Sequence, residues 1–481
     1  MRYNNTMLFG WLFVLVIFFI TVVQNLVKEG MFMDGLYYAT LARNLSVGIG
    51  SFWKPFFTST LYSEFYEHPP LVFGIQSILF RVLGESIYVE KIYSFLTAIT
   101  TGWLIYTIWK NIFDRMDEYR SKYSWLPILI WIIIPLVSWS YSNNLLENTM
   151  GIFTLSSVLI LVKGIKGQIN IYLSGLFSAA MIFFGTLSKG FPALFPLSVL
   201  FFYWLVFKTP DFKKVILITL FQIIFIASVF LILFQMAGPK HFFNSYLEGQ
   251  VLRALKGELV QGSHFFILWK LFMEILPLLI LLGIIFLLYK FKKLRFIASE
   301  KNKQQSVFFF LIAASAALPI MVSPKQLGFY LVPSFPLFAL GFACLFAHSL
   351  KLLIDKCSDN IYGVKVFKIF ILSVLSGVIV FVFFQAGKIG RDKAIISDMK
   401  KFAPYLISNT TIGMCKDLYP EWSLYAYYYR YYYVSLDCSE QSHQLLLARK
   451  NSDCIKDLQF IPLKQNEGSL EFDLYTFSLS K

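Results

Sequence analysis

Eleven stretches of this chain stay apolar for long enough to cross the roughly 30 Å hydrocarbon layer of a bilayer, a distance that about 20 helical residues cover. They run over 7–27, 89–109, 125–142, 148–162, 170–187, 190–207, 215–236, 265–289, 306–322, 327–349 and 367–386. The first is followed by Lys28-Glu29-Gly30 with no small-residue cleavage pattern, so it reads as a retained helix. Two polar connections, 28–88 and 237–264, are large enough to build something. Within the first, Gly35–Leu45 and Leu71–Leu83 are amphipathic enough to lie in the interface as short helices. From about 388 the pattern becomes that of a soluble domain. Thr411–Cys415, Tyr432–Asp437, Gln444–Arg449 and Leu470–Ser478 read as strands, and Glu421–Arg430, after Pro420, reads as a helix. The predicted fold is a polytopic α-helical membrane protein of about eleven transmembrane helices over 1–387, plus a small exported α/β domain over 388–481.

Composition agrees with that class. Of 481 residues, 57% are hydrophobic and 15% charged, and the mean hydropathy is +0.63, whereas soluble domains carry about a quarter charged residues. The net charge of +15 raises nucleic acid as a partner. The excess, however, sits in the connections 110–124, 163–169, 208–214, 290–305 and 350–366, with clusters such as Lys290, Lys292, Lys293 and Arg295. That is a topology signal and a contact for anionic membrane lipids, with the N-terminus cytoplasmic and the C-terminal domain outside. The five cysteines show no metal-ligand spacing. Cys415 and Cys438 close adjacent predicted strands, which allows either a disulfide in an oxidising compartment or two buried thiols.

Two carboxylates then stand out. Asp34 follows the first span, and Glu147 lies in Asn143-Asn144-Leu145-Leu146-Glu147-Asn148 between two later ones. Charge at a bilayer boundary is costly unless it faces a polar cavity or does chemistry, and the charge bias puts both on the exported side. Two carboxylates converging there suggest a catalytic cavity at the membrane surface.

The order of motifs adds a resemblance. Asp34-Gly35-Leu36-Tyr37-Tyr38-Ala39, Glu67-His68-Pro69-Pro70-Leu71, Ser188-Lys189-Gly190-Phe191-Pro192 and Pro324-Lys325-Gln326 to Tyr330-Leu331-Val332-Pro333 follow one another as in the GT-C glycosyltransferases of the protein mannosyltransferase and aminoarabinose lipid A transferase type. The chain resembles these over about 1–386. The resemblance implies that Asp34 is the catalytic base and that Glu147 stands where a second Asp is usual. His68 replaces the Lys of a Lys-Pro pair, and Gly35 an acidic residue. Lys189, Arg253, Lys325 and Tyr330 match polar residues lining the donor-phosphate cavity.

The physical case for the same chemistry is separate. A lipid-phosphate sugar donor needs cations as charge grows on its leaving phosphate, and Lys189, Arg253, Lys325, His68 and Lys54 are the candidates, with Glu67 beside them. An acceptor hydroxyl needs a base near the sugar carbon, a task that suits a partly buried carboxylate. Direct displacement in one step inverts the anomeric centre. The expected function is transfer of one sugar from a polyprenyl-phosphate donor to a glycolipid, glycan or protein hydroxyl on the exported face of a bacterial inner membrane. A transporter or flippase of a lipid-linked sugar is the alternative; an oligosaccharyltransferase lacks support because no Trp-Trp-Asp occurs. No obligatory cofactor is expected, although Asp34, Glu64, Glu67 and Glu147 offer oxygens to a divalent ion. Blander roles exist for each residue: Asp34 capping a helix, Glu147 pairing with a loop cation, His68 serving a turn, Arg253 pairing with Glu248 or Glu258, and Lys189 and Lys325 reaching lipid headgroups.

Overall fold

The computed structural model describes residues 2–113, 117–258, 263, 265–291, 299–357, 361–439, 443–455 and 460–477; Lys292, Lys293 and Arg295 of the basic connection lie outside them. Among the described residues nine helices are long and apolar enough to span a bilayer: Thr6–Leu26, Val89–Ile112, Leu146–Ile165, Ile171–Lys189, Phe212–Phe234, Phe266–Leu288, Glu300–Val322, Gly328–Leu352 and Lys365–Gln385. The other two expected spans take different forms. The stretch expected as one span over 125–142 is bent by 82° between Tyr119–Ile132 and Pro135–Tyr141. Pro135 has no N–H to continue the helix. Leu136 N, freed at the break, donates instead to Glu274 Oε2 at 2.8 Å, and Lys270 balances that carboxylate at 2.8 Å. An ion pair inside the span thus satisfies backbone that lipid could not. The 190–207 stretch forms a shorter apolar helix, Phe191–Phe207, whose first eight residues are 3-10 around Pro192 and Pro196.

The C-terminal domain holds a five-stranded sheet of β1 (Thr411–Met414), β2 (Ser435–Asp437), β3 (Leu445–Arg449), β4 (Phe460–Pro462) and β5 (Phe472–Phe477) in the order β2-β1-β3-β5-β4. β1 runs parallel to β2 and β3, and β5 is antiparallel to β3 and β4. The expected helix spans Trp422–Tyr432, so it takes the start of the stretch expected as the second strand and ends at Tyr433, φ 58. The short edge strand β4 and the Lys393–Phe402 helix were not expected. The disulfide joins Cys415 to Cys454, which corrects the Cys415–Cys438 alternative. Cys415 N donates to Leu447 O of β3 at 3.0 Å, so the backbone there follows β3 rather than β2. Cys438 is free, 3.6 Å from Tyr425 Oη.

The domain is clamped onto the loop that follows the first span. Leu71–Leu83 is helical as expected. The other expected short helix is Met33–Ser46, in which Gly35 through Asn44 are all buried, many of them beneath the Trp422–Tyr432 helix. Arg43 Nη1 donates to Tyr429 O and Arg430 O at 3.1 and 2.9 Å, which satisfies carbonyls at that helix's C-terminal end. Arg430 pairs with Glu90 at 2.8 Å, both 2% exposed. The tyrosine-rich run is therefore packing surface: Tyr425, Tyr427, Tyr428 and Tyr429 are buried.

Candidate active site

Three helix ends bring the charged residues together. Asp34 sits in the first turn of Met33–Ser46 and Glu147 in the first turn of Leu146–Ile165, where the positive end of the helix dipole favours a carboxylate. Lys189 ends Ile171–Lys189, where the dipole favours a cation. Gly190 stops that helix at φ +95, and a Cβ there would meet Tyr246 Oη at 2.3 Å. Asp34 caps nothing: the helix begins after Phe32 with no side-chain cap.

The segment around Asp34 is held from both sides. Phe32 N donates to Asn143 Oδ1 at 2.8 Å, and Asn144 Nδ2 donates to Gly35 O at 2.9 Å. Tyr427 Oη of the C-terminal domain accepts from Met31 N at 3.0 Å. The loop ahead of Glu147 and the C-terminal domain therefore fix the same few residues. Gly35 explains its own departure from the motif, because a Cβ there would lie 2.1 Å from Asn143 O, which leaves no room for an acidic side chain.

Lys189 Nζ lies 3.1 Å from Glu147 Oε1 and 3.5 Å from His68 Nε2, with Lys189 7% and Glu147 1% exposed. Neither Glu147 oxygen, both of them buried, has a directed hydrogen bond, so the pair is held by charge. The Tyr330 ring lies 5.4 Å from Lys189 Nζ, within cation–π range. Lys325 Nζ donates to Gln250 Oε1 at 2.9 Å; Gln250 Nε2 and Tyr62 Oη both donate to Glu67 Oε1, at 3.1 and 2.9 Å.

These groups line a cavity of about 570 Å³. Its lining includes the polar residues Glu67, His68, Glu147, Lys189, Lys325 and Tyr330 and is otherwise mostly apolar, with Leu194, Leu197, Ala316, Pro319 and Ile320 among its residues. Asp34 is not among the lining residues but stands within electrostatic reach of Lys189, Glu147, Glu67 and Lys325. Among the described residues no side chain hydrogen-bonds its carboxylate. Burial raises that carboxyl from its ordinary 3.8 to about 6, against the pull of Lys189. Burial, with Lys189 and Lys325 nearby, holds the His68 imidazole well below its ordinary range, so it is neutral at pH 7. Burial also lowers the Lys325 ammonium.

Two expected cations are not brought in. Arg253 pairs with Glu258 at 3.0 Å on a half-exposed surface, and Lys54 is exposed and pairs with Glu64; neither lines the cavity. Glu64 also accepts from Tyr66 Oη at 2.8 Å. Among the described residues no three His, Cys, Asp or Glu side chains form a metal-holding group. Gln250, Tyr62 and Asn143 escaped the sequence reading as individual residues, for an uncharged polar side chain in a polar loop carries no signal of its own.

The family model described as Dolichyl-phosphate-mannose-protein mannosyltransferase matches residues 67–234. The curated Undecaprenyl phosphate-alpha-4-amino-4-deoxy-L-arabinose arabinosyl transferase 1 of Proteus mirabilis is 27% identical over 223 residues, 45% of this chain. The match spans 37% of that relative's length. The crystal structure of ArnT from Cupriavidus metallidurans bound to undecaprenyl phosphate aligns over 98% of both chains, with a TM-score of 0.68 at 14% identity. The apo oligosaccharyltransferase of Archaeoglobus fulgidus aligns over 91% of this chain and 64% of its own, with a TM-score of 0.50 at 13% identity. Over nearly its whole length the chain has the fold of that ArnT structure.

Proposed function

We propose that this chain is an inverting glycosyltransferase that moves one hexose or pentose from a polyprenyl-phosphate donor to an acceptor hydroxyl at the exported face of a bacterial inner membrane. One observation supports it above all: a buried carboxylate–ammonium pair, Glu147 and Lys189, lines a cavity whose remaining lining is mostly apolar. A lipid tail suits the apolar lining, and its phosphate then lies near Lys189 and Lys325. The acceptor oxygen attacks the anomeric carbon while Asp34 takes its proton. The bond from that carbon to the phosphate oxygen breaks, and polyprenyl phosphate leaves with its new charge facing the two ammonium groups. A raised pKa leaves Asp34 ionised near neutrality yet basic enough to accept the proton. Glu147, 1% exposed, holds Lys189 in place as its counter-charge. Neutral His68 adds no charge and orients Lys189. The N-terminus is cytoplasmic and the C-terminal domain exported; the acceptor is a glycolipid, a glycan or a protein.

Membranes containing the protein, supplied with radiolabelled polyprenyl-phosphate sugars, test this. Label should pass to a new product with wild-type protein and not with Asp34→Asn. Movement of intact donor across the bilayer without a labelled product would instead indicate a flippase and end the enzymatic reading.

A further inference from the structure

Lys325 and Glu67 carry opposite charges on the lining of one cavity, yet among the described residues the Lys325 ammonium pairs directly with no carboxylate. Gln250 stands between them. Its Oε1 accepts from Lys325 Nζ at 2.9 Å and its Nε2 donates at 3.1 Å to Glu67 Oε1, an oxygen that also accepts from Tyr62 Oη at 2.9 Å. One carboxamide can fill both roles because it carries an acceptor and a donor. Gln250 belongs to a π-helical turn, Leu247–Leu252, which follows the helix Ala237–Tyr246. Such turns are rare and often mark functional sites. Within this one, Glu248 is exposed and Gln250 lines the cavity.

The separation matters to an incoming anion. A carboxylate in direct contact would cancel the charge of Lys325 and occupy its donors, whereas a neutral carboxamide takes one of three N–H groups and leaves the charge in place. Burial disfavours the ammonium and nearby Glu67 favours it; across the carboxamide, Glu67 supports the charge without capturing it. We infer that Gln250 is a positioning residue that keeps Lys325 apart from Glu67 and aims its ammonium at the phosphate of a bound lipid donor. This rests on reading the cavity as a site of glycosyl transfer. The role needs both ends of the carboxamide, so neither an apolar nor an anionic side chain fills it.

The test uses the full chain in detergent with farnesyl phosphate as the probe, its affinity followed by thermophoresis between about pH 5.5 and 8.5. Transfer from radiolabelled polyprenyl-phosphate sugars is measured on the same preparations. Gln250→Met keeps the length of the side chain and loses both bonds, so the probe should bind about tenfold more weakly at every pH. Gln250→Glu should behave differently. Two carboxyl groups about 3 Å apart share one proton, so at acid pH this variant still donates to Glu67 and accepts from Lys325, and it should bind within about twofold of the wild type. As the shared proton leaves with rising pH, the new carboxylate captures Lys325, and affinity relative to the wild type should fall about tenfold or more by about pH 8.5. A merely structural role for Gln250 would not produce recovery with pH in one and the same protein. Binding by Gln250→Met within about twofold of the wild type, or a Gln250→Glu to wild-type ratio that stays flat with pH, overturns the inference. So does a wild type that transfers sugar but does not bind the probe. A wild type that neither transfers sugar nor binds the probe loses the glycosyl-transfer reading itself.

Discussion

Replacing Asp34 with Asn should abolish transfer and at the same time make the folded protein more stable. Burial lifts this carboxyl from 3.8 to about 6, with Lys189 and Lys325 opposing and Glu147 and Glu67 reinforcing the rise. A folded-state pKa above the unfolded one means that the fold tolerates the neutral acid better. The stability this represents is fully present below about pH 4 and is lost as pH rises through about 6. A displacement of about two units corresponds to a penalty of about 3 kcal/mol once the group is ionised. Asn has no charge to desolvate and so escapes it. The thermal midpoint of the purified variant should therefore exceed that of the wild type at neutral pH, and the gap should close toward pH 4. Transfer should fall by a factor of roughly a hundred to ten thousand, the usual worth of a positioned base. The wild-type rate should follow ionisation, with about nine-tenths of Asp34 charged at pH 7 and about a tenth at pH 5. Radiolabel transfer between pH 5 and 8, paired with thermal unfolding of both proteins in detergent, measures all three. A variant that keeps more than about a tenth of the wild-type rate removes Asp34 from the role of base. A variant less stable than the wild type at neutral pH refutes the burial argument, as does a wild-type rate that stays flat down to pH 5.

Three further outcomes follow from the same geometry. Lys189→Met leaves Glu147, 1% exposed, buried without its counter-charge, so folded yield in detergent should drop in line with a loss of about 3–5 kcal/mol. Glu147→Gln/Lys189→Met should recover the yield and not the transfer. Gly35→Ala puts a Cβ 2.1 Å from Asn143 O and should lower the thermal midpoint by the equivalent of about 1–3 kcal/mol, with transfer lost because Asp34 moves too. Cys415→Ser/Cys454→Ser opens a disulfide that joins positions 39 residues apart. That should destabilise the C-terminal domain by about 4 kcal/mol, read as faster limited proteolysis; Cys438→Ser should leave the proteolysis rate near that of the wild type.

The helical spans were legible because lipid imposes one rule that a linear pattern can express: a run of about 20 apolar residues with its backbone bonds satisfied internally. The two stretches that took other forms broke the rule in ways only neighbours reveal. The bend at Pro135 exists because Glu274, distant in sequence, accepts the freed Leu136 N–H. The C-terminal strands were legible in part, since alternation marks a strand but not its partner; hence the cysteine in the turn after β3, not the one at the end of β2, reached Cys415. The burial of the helix at Asp34 was not legible because its sequence does not say that a second domain covers it.

What the sequence determined by itself was the chemistry of single positions: a carboxylate placed just after the first span, another between later spans, and lysines at the ends of apolar runs, each too costly at a bilayer boundary to be casual. Tertiary structure alone decided which of these meet. Lys189 joins Glu147 and His68 because Gly190 ends its helix at their level, whereas Arg253 and Lys54 found carboxylates on the surface instead. The raised Asp34 carboxyl was equally beyond the sequence. Desolvation depends on how much protein surrounds a group, and the residues just ahead of Asp34 are held by the C-terminal domain and the Asn143–Asn144 loop, which reach them only through the fold.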